Sequence, residues 1–195
     1  MTESDLRFTE IEHKYVVEAR FDLAAFDQAL TSLGPTRRAT LQVRDRYFLT
    51  GAGKKHRFLI RHRFDPELHH LTLKTLEDDP QIRTEVNLDL GHHAGDQTDA
   101  VDAFLAPFEV EWQDSLLKDL DVWYFHDAEV VHYRAEGGGR VVRCVEFEAT
   151  RKEDVASALA VLERYENASG LGDRDRERRS LPELLFPEVA AVFRR

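Results

Sequence analysis

The chain has 195 residues, 42% of them hydrophobic, which suits one domain with a buried core. Its 27 basic and 37 acidic residues leave a formal net charge of −10, which argues against nonspecific binding to nucleic acids or membranes, both of them polyanions. The one cysteine, Cys144, excludes an internal disulfide and points to a reducing compartment, the cytoplasm. No apolar run approaches the roughly 18 residues of a membrane span, and Met1 to Asp5 begin no secretory signal.

Side-chain alternation, the mark of a strand, dominates the chain. Residues 9–17 read as a strand with Glu10, Glu12 and Lys14 on one face and Ile11, His13, Tyr15 and Val17 on the other. Asp22 is placed to cap a helix over 23–33 that closes at Gly34-Pro35. A second strand follows at 40–49 and a turn or loop at 51–55. Residues 57–64 set Arg57, Leu59, Arg61 and Arg63 on one face, residues 71–76 set Thr72 and Lys74 on one, and residues 82–90 do the same with Arg83, Glu85, Asn87 and Asp89. After a short helix near 98–106, strands are expected at 114–125 and 128–135. A Gly137-Gly138-Gly139 turn leads into a last strand at 140–150 carrying Glu146 and Glu148 on one face. Helical spacing at 152–167 and a helical tail at 181–193 complete the series. About eight strands whose charged faces carry an ordered pattern predict an α+β fold: a closed eight-stranded antiparallel β-barrel with charged side chains in the lumen and helices packed outside, as a single domain over 1–195.

The charged faces carry the chemistry. Along a strand, residues i and i+2 lie about 6.5–7 Å apart, so Glu10 and Glu12 repel one another unless a cation intervenes. Glu146 and Glu148 repeat the device at the other end of the barrel sequence. Closure of the barrel would gather up to four carboxylates, a hard-oxygen set suited to Mg2+ or Mn2+. The inward cations Arg57, Arg61, Arg63, Lys74 and Arg83, with Lys14, are expected to repel one another in an empty lumen, and a polyanion such as a triphosphate would relieve them.

Taken together these motifs resemble the CYTH, or triphosphate tunnel metalloenzyme, superfamily. The matching residues, in order, are Glu10-x-Glu12-x-Lys14, Tyr47-Phe48 (with Leu49 where aspartate is usual), Arg61-x-Arg63, Thr72-x-Lys74, Arg83-x-Glu85 and Glu146-x-Glu148. The closing run from Ser180 to Leu185 is similar to the family's Ser-Tyr-x-Glu-Leu-Leu. Two departures stand out. Lys118 is followed by Asp119 and Leu120 where Lys-x-Arg is usual, and the seventh-strand acid has no counterpart among His132, Arg134 and Glu136. The resemblance implies a metal-dependent triphosphatase acting on inorganic tripolyphosphate or on a nucleoside or thiamine triphosphate. Glu10, Glu12, Glu146 and Glu148 would hold Mg2+ or Mn2+. Arg57, Arg61, Arg63, Lys74 and Arg83 would hold phosphates with Lys118, and Arg134 would replace the missing cation. Lys14 or Glu85 would orient the attacking water. The only expected partner is the small-molecule substrate, with the chain a monomer or homodimer. An adenylate cyclase making cyclic AMP and a noncatalytic polyphosphate- or nucleotide-binding module are the alternatives.

Plainer readings stand beside these. A lone Glu-x-Glu-x-Lys is more often a solvated strand face with cross-strand pairs. His69-His70 and His92-His93 read as solvated, Cys144 as a small buried residue, Trp112 and Trp123 as outer packing, and 173–179 as a solvated segment, with closure of a tunnel mouth as the lesser alternative.

Overall fold

The computed structural model describes residues 8–75 and 82–193. Eight strands close into an antiparallel barrel: β1 (Thr9–Val16), β2 (Arg37–Thr50), β3 (Phe58–Phe64), β4 (His69–Thr75), β5 (Ile82–Asp89), β6 (Val110–Tyr124), β7 (Ala128–Gly137) and β8 (Arg140–Ala149). Their order around the barrel is β1-β5-β4-β3-β2-β6-β7-β8, so the first strand is wedged between the fifth and the last. Leu76, the predicted end of the fourth strand, lies outside the described residues.

The outer faces of the strands are apolar and bury themselves under helices. On β1, Ile11 and Tyr15 are buried with Val145 and Phe147 of β8, in a cluster completed by Ala158, Leu162 and Tyr165 of a long helix, α4 (Val155–Ala168). Asp154 fixes the start of α4 with a capping box, its carboxylate accepting from the Ser157 amide at 2.7 Å. The first helix, α1 (Leu23–Ser32), is capped by Asp22 as its sequence suggests, and Phe26 packs edge-on against Trp123. The β7–β8 connection is a two-residue turn, Gly138-Gly139, with both residues at positive φ (56° and 69°). A Cβ on Gly138 would come within 2.8 Å of Phe186, so glycine is required there by space as well as by conformation.

Several expectations need correction. Residues 51–55 belong to a helix, α2 (Gly51–His56), whose first turn the Thr50 hydroxyl caps. Strands β2 and β6 pair over a long stretch from Arg37↔Tyr124 to Thr50↔Val110 and begin three and four residues before their predicted starts, because each supplies the other's backbone partners. His69 is buried rather than solvated: its Nδ1 meets the Gly91 carbonyl and its Nε2 lies 3.2 Å from His62 Nε2. The remaining helices are α3 (Thr98–Leu105), α5 (Leu181–Leu185) and α6 (Pro187–Phe193). Among the described residues no helix is long and apolar enough to cross a membrane.

Candidate functional site: a charged tunnel

The lumen is a cavity of about 1240 Å³. Strand alternation delivers its charged side chains: Glu10, Glu12 and Lys14 from β1, Arg61 and Arg63 from β3, Lys74 from β4, Arg83 and Glu85 from β5, Lys118 from β6, and Glu146 and Glu148 from β8. The register then sets neighbours across strands. Glu12 lies opposite Glu148, Lys14 opposite Glu146, and Glu10 opposite Arg83.

Two predicted phosphate ligands are not in the lumen. Arg57 ends α2 as its C-cap in the left-handed region (φ 57°), outside the strand phase that turns Leu59, Arg61 and Arg63 inward. Arg134 is out of phase with Val131 and Tyr133, which face the cavity. It points to the outer surface and pairs with Glu136 at 2.8 Å. Lys118 reaches the lumen without replacement or help from Arg134.

Two carboxylates were missed. Asp45, on β2 two residues before Tyr47, has no solvent exposure. It accepts a bidentate pair from Arg63 (2.7 and 2.8 Å) and a third contact from Lys118 Nζ at 2.8 Å. Its phase with Tyr47 was legible in the sequence. Glu129 on β7 lies opposite Glu148, which lies opposite Glu12, so three neighbouring strands present carboxylates side by side. Glu129 lies at the start of β7, whereas His132, Arg134 and Glu136 lie further along that strand.

The expectation of free, mutually repelling cations does not hold either. Arg83 donates to Glu12, Lys14 lies 3.0 Å from Glu146 and 3.6 Å from Glu12, and Lys74 lies 2.6 Å from Glu10 and 3.2 Å from Glu85. Arg61 donates to Glu85 at 2.8 Å. The cations Lys14, Arg37, Arg61, Arg63, Lys74, Arg83, Lys118 and Lys152 line the cavity with the carboxylates Glu10, Glu12, Asp65, Glu67, Glu85, Glu129, Glu146, Glu148 and Glu153, and Asp45 stands behind Arg63 and Lys118. The carboxylates are in excess. Glu148 and Glu129 carry the surplus: among the described residues neither side chain has a hydrogen bond or an ion pair.

Burial in this setting moves the titrating groups in opposite directions. Burial lifts Glu148 well above the usual carboxylate range, with Glu10 and Glu129 adding to it. Burial and then Glu12 lift Glu10 to about 7 against the pull of Lys74. Burial opposes ionisation of Glu12 too, but Arg83 and then Lys14 outweigh it and hold Glu12 far below its ordinary value. Burial, reinforced by Arg63, depresses Lys118 to about 8.

The donor set suits a hard divalent cation. Five carboxylates, Glu10, Glu12, Glu129, Glu146 and Glu148, stand on the adjacent strands β1, β8 and β7, and two of them have no cationic partner. Among the described residues no three His, Cys, Asp or Glu side chains are already gathered around one point, because Glu10, Glu12 and Glu146 are held by lysines and an arginine.

Residues 173–179 are not simply solvated. The Glu177 amide donates to the Lys14 carbonyl at 2.7 Å, Lys14 Nζ donates to the Arg179 carbonyl at 3.4 Å, and Arg176 reaches Glu166 at 2.9 Å. This strap lies across the barrel end beside Glu12, Lys14 and Arg83.

No protein-family model and no curated protein matches the chain. Solved structures do. PH1012 from Pyrococcus horikoshii OT3 superposes with a TM-score of 0.71 at 18% identity, over 90% of this chain and 99% of that one. The chain shares the fold of these solved structures. A proposed adenylate cyclase from Bacillus halodurans shares the tunnel fold at a TM-score of 0.58 and 15% identity, covering 92% of this chain and 99% of its own. HpAC1 from Hippeastrum, a proposed adenylyl cyclase with a dominant triphosphatase activity, shares it at 0.53 and 15%, covering 92% and 96%. At such identities the likeness is one of fold.

Proposed function

We propose that this protein is a metal-dependent triphosphatase. The observation that carries the reading is the division of the lumen: carboxylates in excess on β7, β8 and β1 face Arg61, Arg63, Lys74 and Arg83 on β3, β4 and β5. A bare triphosphate cannot enter a lumen whose cations are already neutralised. A triphosphate that arrives with divalent metal can, by exchange of partners. Glu10, Glu12, Glu129, Glu146 and Glu148 would turn to the metal, and the cations they release would turn to phosphate oxygens. Mg2+ or Mn2+ would supply charge neutralisation on the phosphates.

The chain's own residues do the rest. Arg61, Lys74 and Arg83 align the phosphates along one wall, with Arg guanidinium groups able to grip two oxygens at once. A water oxygen attacks the terminal phosphorus in line. The bond from that phosphorus to the bridging oxygen breaks, and the bond's electron pair leaves with the remaining phosphates. Lys14 or Glu85 would orient the water. Fold neighbours support the assignment, since the Hippeastrum protein combines the same barrel with a dominant triphosphatase activity. They also supply the second reading, a cyclase, because proposed adenylate cyclases share the fold.

One assay separates the readings. ATP and tripolyphosphate are incubated with the protein in Mg2+, in Mn2+ and in chelator, and orthophosphate, diphosphate and cyclic AMP are measured together. Orthophosphate release that requires metal is the expected result. Cyclic AMP with diphosphate would make the protein a cyclase, and binding without any product would make it a binding module.

A further inference from the structure

Three histidines stand in a row on the outside of the barrel, apart from the tunnel. His62 of β3 and His69 of β4 are buried, and His92 lies beyond them on the segment 90–97 that leads into α3. Ring centroids lie 5.4 Å apart from His62 to His69 and 5.9 Å from His69 to His92, and Phe64 sits 5.0 Å from His69 and 5.5 Å from His92. The hydrogen-bond chain fixes where the protons are. A carbonyl only accepts, so His69 Nδ1 donates to the Gly91 carbonyl and His69 Nε2 is left as a lone pair. That lone pair accepts from His62 Nε2, 3.2 Å away, which leaves His62 Nδ1 bare. Only one hydrogen fits between the two Nε2 atoms. A further proton has to go to His62 Nδ1, which is buried and, among the described residues, has no hydrogen bond.

The surroundings oppose that charge. Arg46 of β2 lies opposite His62 in the strand register, and Asp102 of α3 holds Arg46 at 2.5 Å. The segment 90–97 brings His92 and Asp96, and Asp96 is exposed. Asp65, in the β3–β4 turn, has its carboxylate taken by the Glu67 and Leu68 amides at 2.8 Å each. Burial, then Arg46 and His69, hold His62 below the ordinary histidine value against the pull of Asp96. The same row fastens its neighbours. His92 Nε2 donates to the Asp65 carbonyl at 2.9 Å, and the Leu90 amide donates to the His69 carbonyl at 2.9 Å. Val101 and Leu105 of α3 pack with Phe48 and Leu71 on the same side of the barrel.

We propose that His62, His69 and His92 form an acid-released latch, which fastens residues 90–97 and α3 to the outside of β3 and β4 while His62 is neutral and frees them when His62 takes a proton. Asp65 and Leu68 line the tunnel, so the contact between His92 and Asp65 carries the state of the latch to the tunnel lining. With His62 depressed in the closed state and ordinary in the open one, opening takes up a proton below about 6.5. The segment therefore opens more readily as pH falls through that window, and above it both states are neutral and pH has no effect.

Hydrogen exchange of the full chain from about pH 7.5 to about pH 5, corrected for the intrinsic pH dependence of amide exchange, tests the latch. Opening of residues 90–105 is expected to grow as pH falls below about 6.5, approaching about tenfold per pH unit for one proton taken up. His62→Gln keeps a donor for His69 Nε2 and has no proton to gain, so it should lose that slope. His92→Gln keeps a donor for the Asp65 carbonyl and should keep the slope. In the parent protein, imidazole 15N shifts should show His62 Nδ1 bare near neutral pH and protonated only as the protection is lost, a measurement that serves if His62→Gln fails to fold. Opening that ignores pH, an equal slope in the parent and His62→Gln, a slope that follows His92 instead of His62, or a His62 Nδ1 that protonates while residues 90–97 stay protected overturns the proposal. None of these readouts uses turnover, so the outcome stands apart from the triphosphatase reading.

Discussion

Strand β1 carries a buried polar network on each of its faces, and the two are built on opposite terms. On the outer face His13 Nδ1 meets Glu166 at 2.6 Å, Arg176 meets the other oxygen of Glu166 at 2.9 Å, and Arg176 Nε donates to the Tyr15 hydroxyl at 3.3 Å. Both oxygens of the single buried carboxylate are taken. Burial would raise Glu166, but His13, Tyr15 and Arg176 together outweigh that and keep it below the usual value. On the inner face carboxylates outnumber cations, and among the described residues Glu148 has no hydrogen bond or ion pair. The outer network holds the strap and α4 to the barrel, although among the described residues the buried His13 Nε2 has no hydrogen bond. The inner one, held apart by the closed wall, is a stored demand for positive charge. Glu148 and Glu129 face the cavity, where a cation can reach them.

Breaking the outer network should have the largest effect on folding. Glu166→Ala leaves Arg176 and His13 without their partner and is expected to lower stability by about 3–5 kcal/mol, the range for removing one member of a buried pair. Chemical denaturation reads it directly; an unchanged midpoint would mean that the outer network holds nothing.

The inner network should answer in the opposite way. Glu148→Gln removes an unpaired carboxyl, so the unfolding midpoint in chelator should hold or rise, while turnover in Mg2+ falls roughly a hundredfold or more. Glu12→Gln should lose activity on the same scale. It should also lose stability, because Arg83 then lacks its carboxylate. If Glu148→Gln instead unfolded as Glu166→Ala does and kept its turnover, the contrast between the two faces would collapse.

Ligand-linked stabilisation gives a third, somewhat smaller effect. A ligand at about 100 times its dissociation constant adds roughly 2.7 kcal/mol. With the cations already paired, tripolyphosphate in chelator should shift the melting temperature little more than orthophosphate at matched ionic strength. Tripolyphosphate with Mg2+ should shift it by several degrees. An equal shift in chelator would show that the cations alone attract the anion.

The smallest effect is on pH. Burial and Arg63 depress Lys118 to about 8. Between about 8 and the ordinary lysine value the unfolded chain holds a proton that the folded chain has lost, so this group makes stability rise with pH across that window; below it, both states are charged. Anion binding runs the other way. Charged Lys118 favours it, so affinity for metal–triphosphate should fall as pH rises above 8, approaching about tenfold per pH unit if only the charged form binds. The fall should vanish in Lys118→Gln, as titration at pH 7 and 9 would show.

The sequence by itself determined the faces. Alternation is a local property of an extended chain, so Glu10, Glu12, Lys14, Arg61, Arg63, Lys74, Arg83, Glu85, Glu146 and Glu148 could be assigned to one side of their strands before any strand was paired. The same rule, applied one residue too far, put Arg57 on β3, where helix α2 in fact ends. Applied without the register of β7, it left Arg134 open, although Tyr133 and Val131 take the inward phase there. Only the tertiary structure decided who meets whom. The stagger of eight strands brings Asp45 onto both Arg63 and Lys118 and lines up Glu129, Glu148 and Glu12. It also turns a row of expected free cations into a set of ion pairs. Those outcomes depend on barrel closure, which joins residues more than a hundred positions apart, and no local period along the chain encodes that pairing.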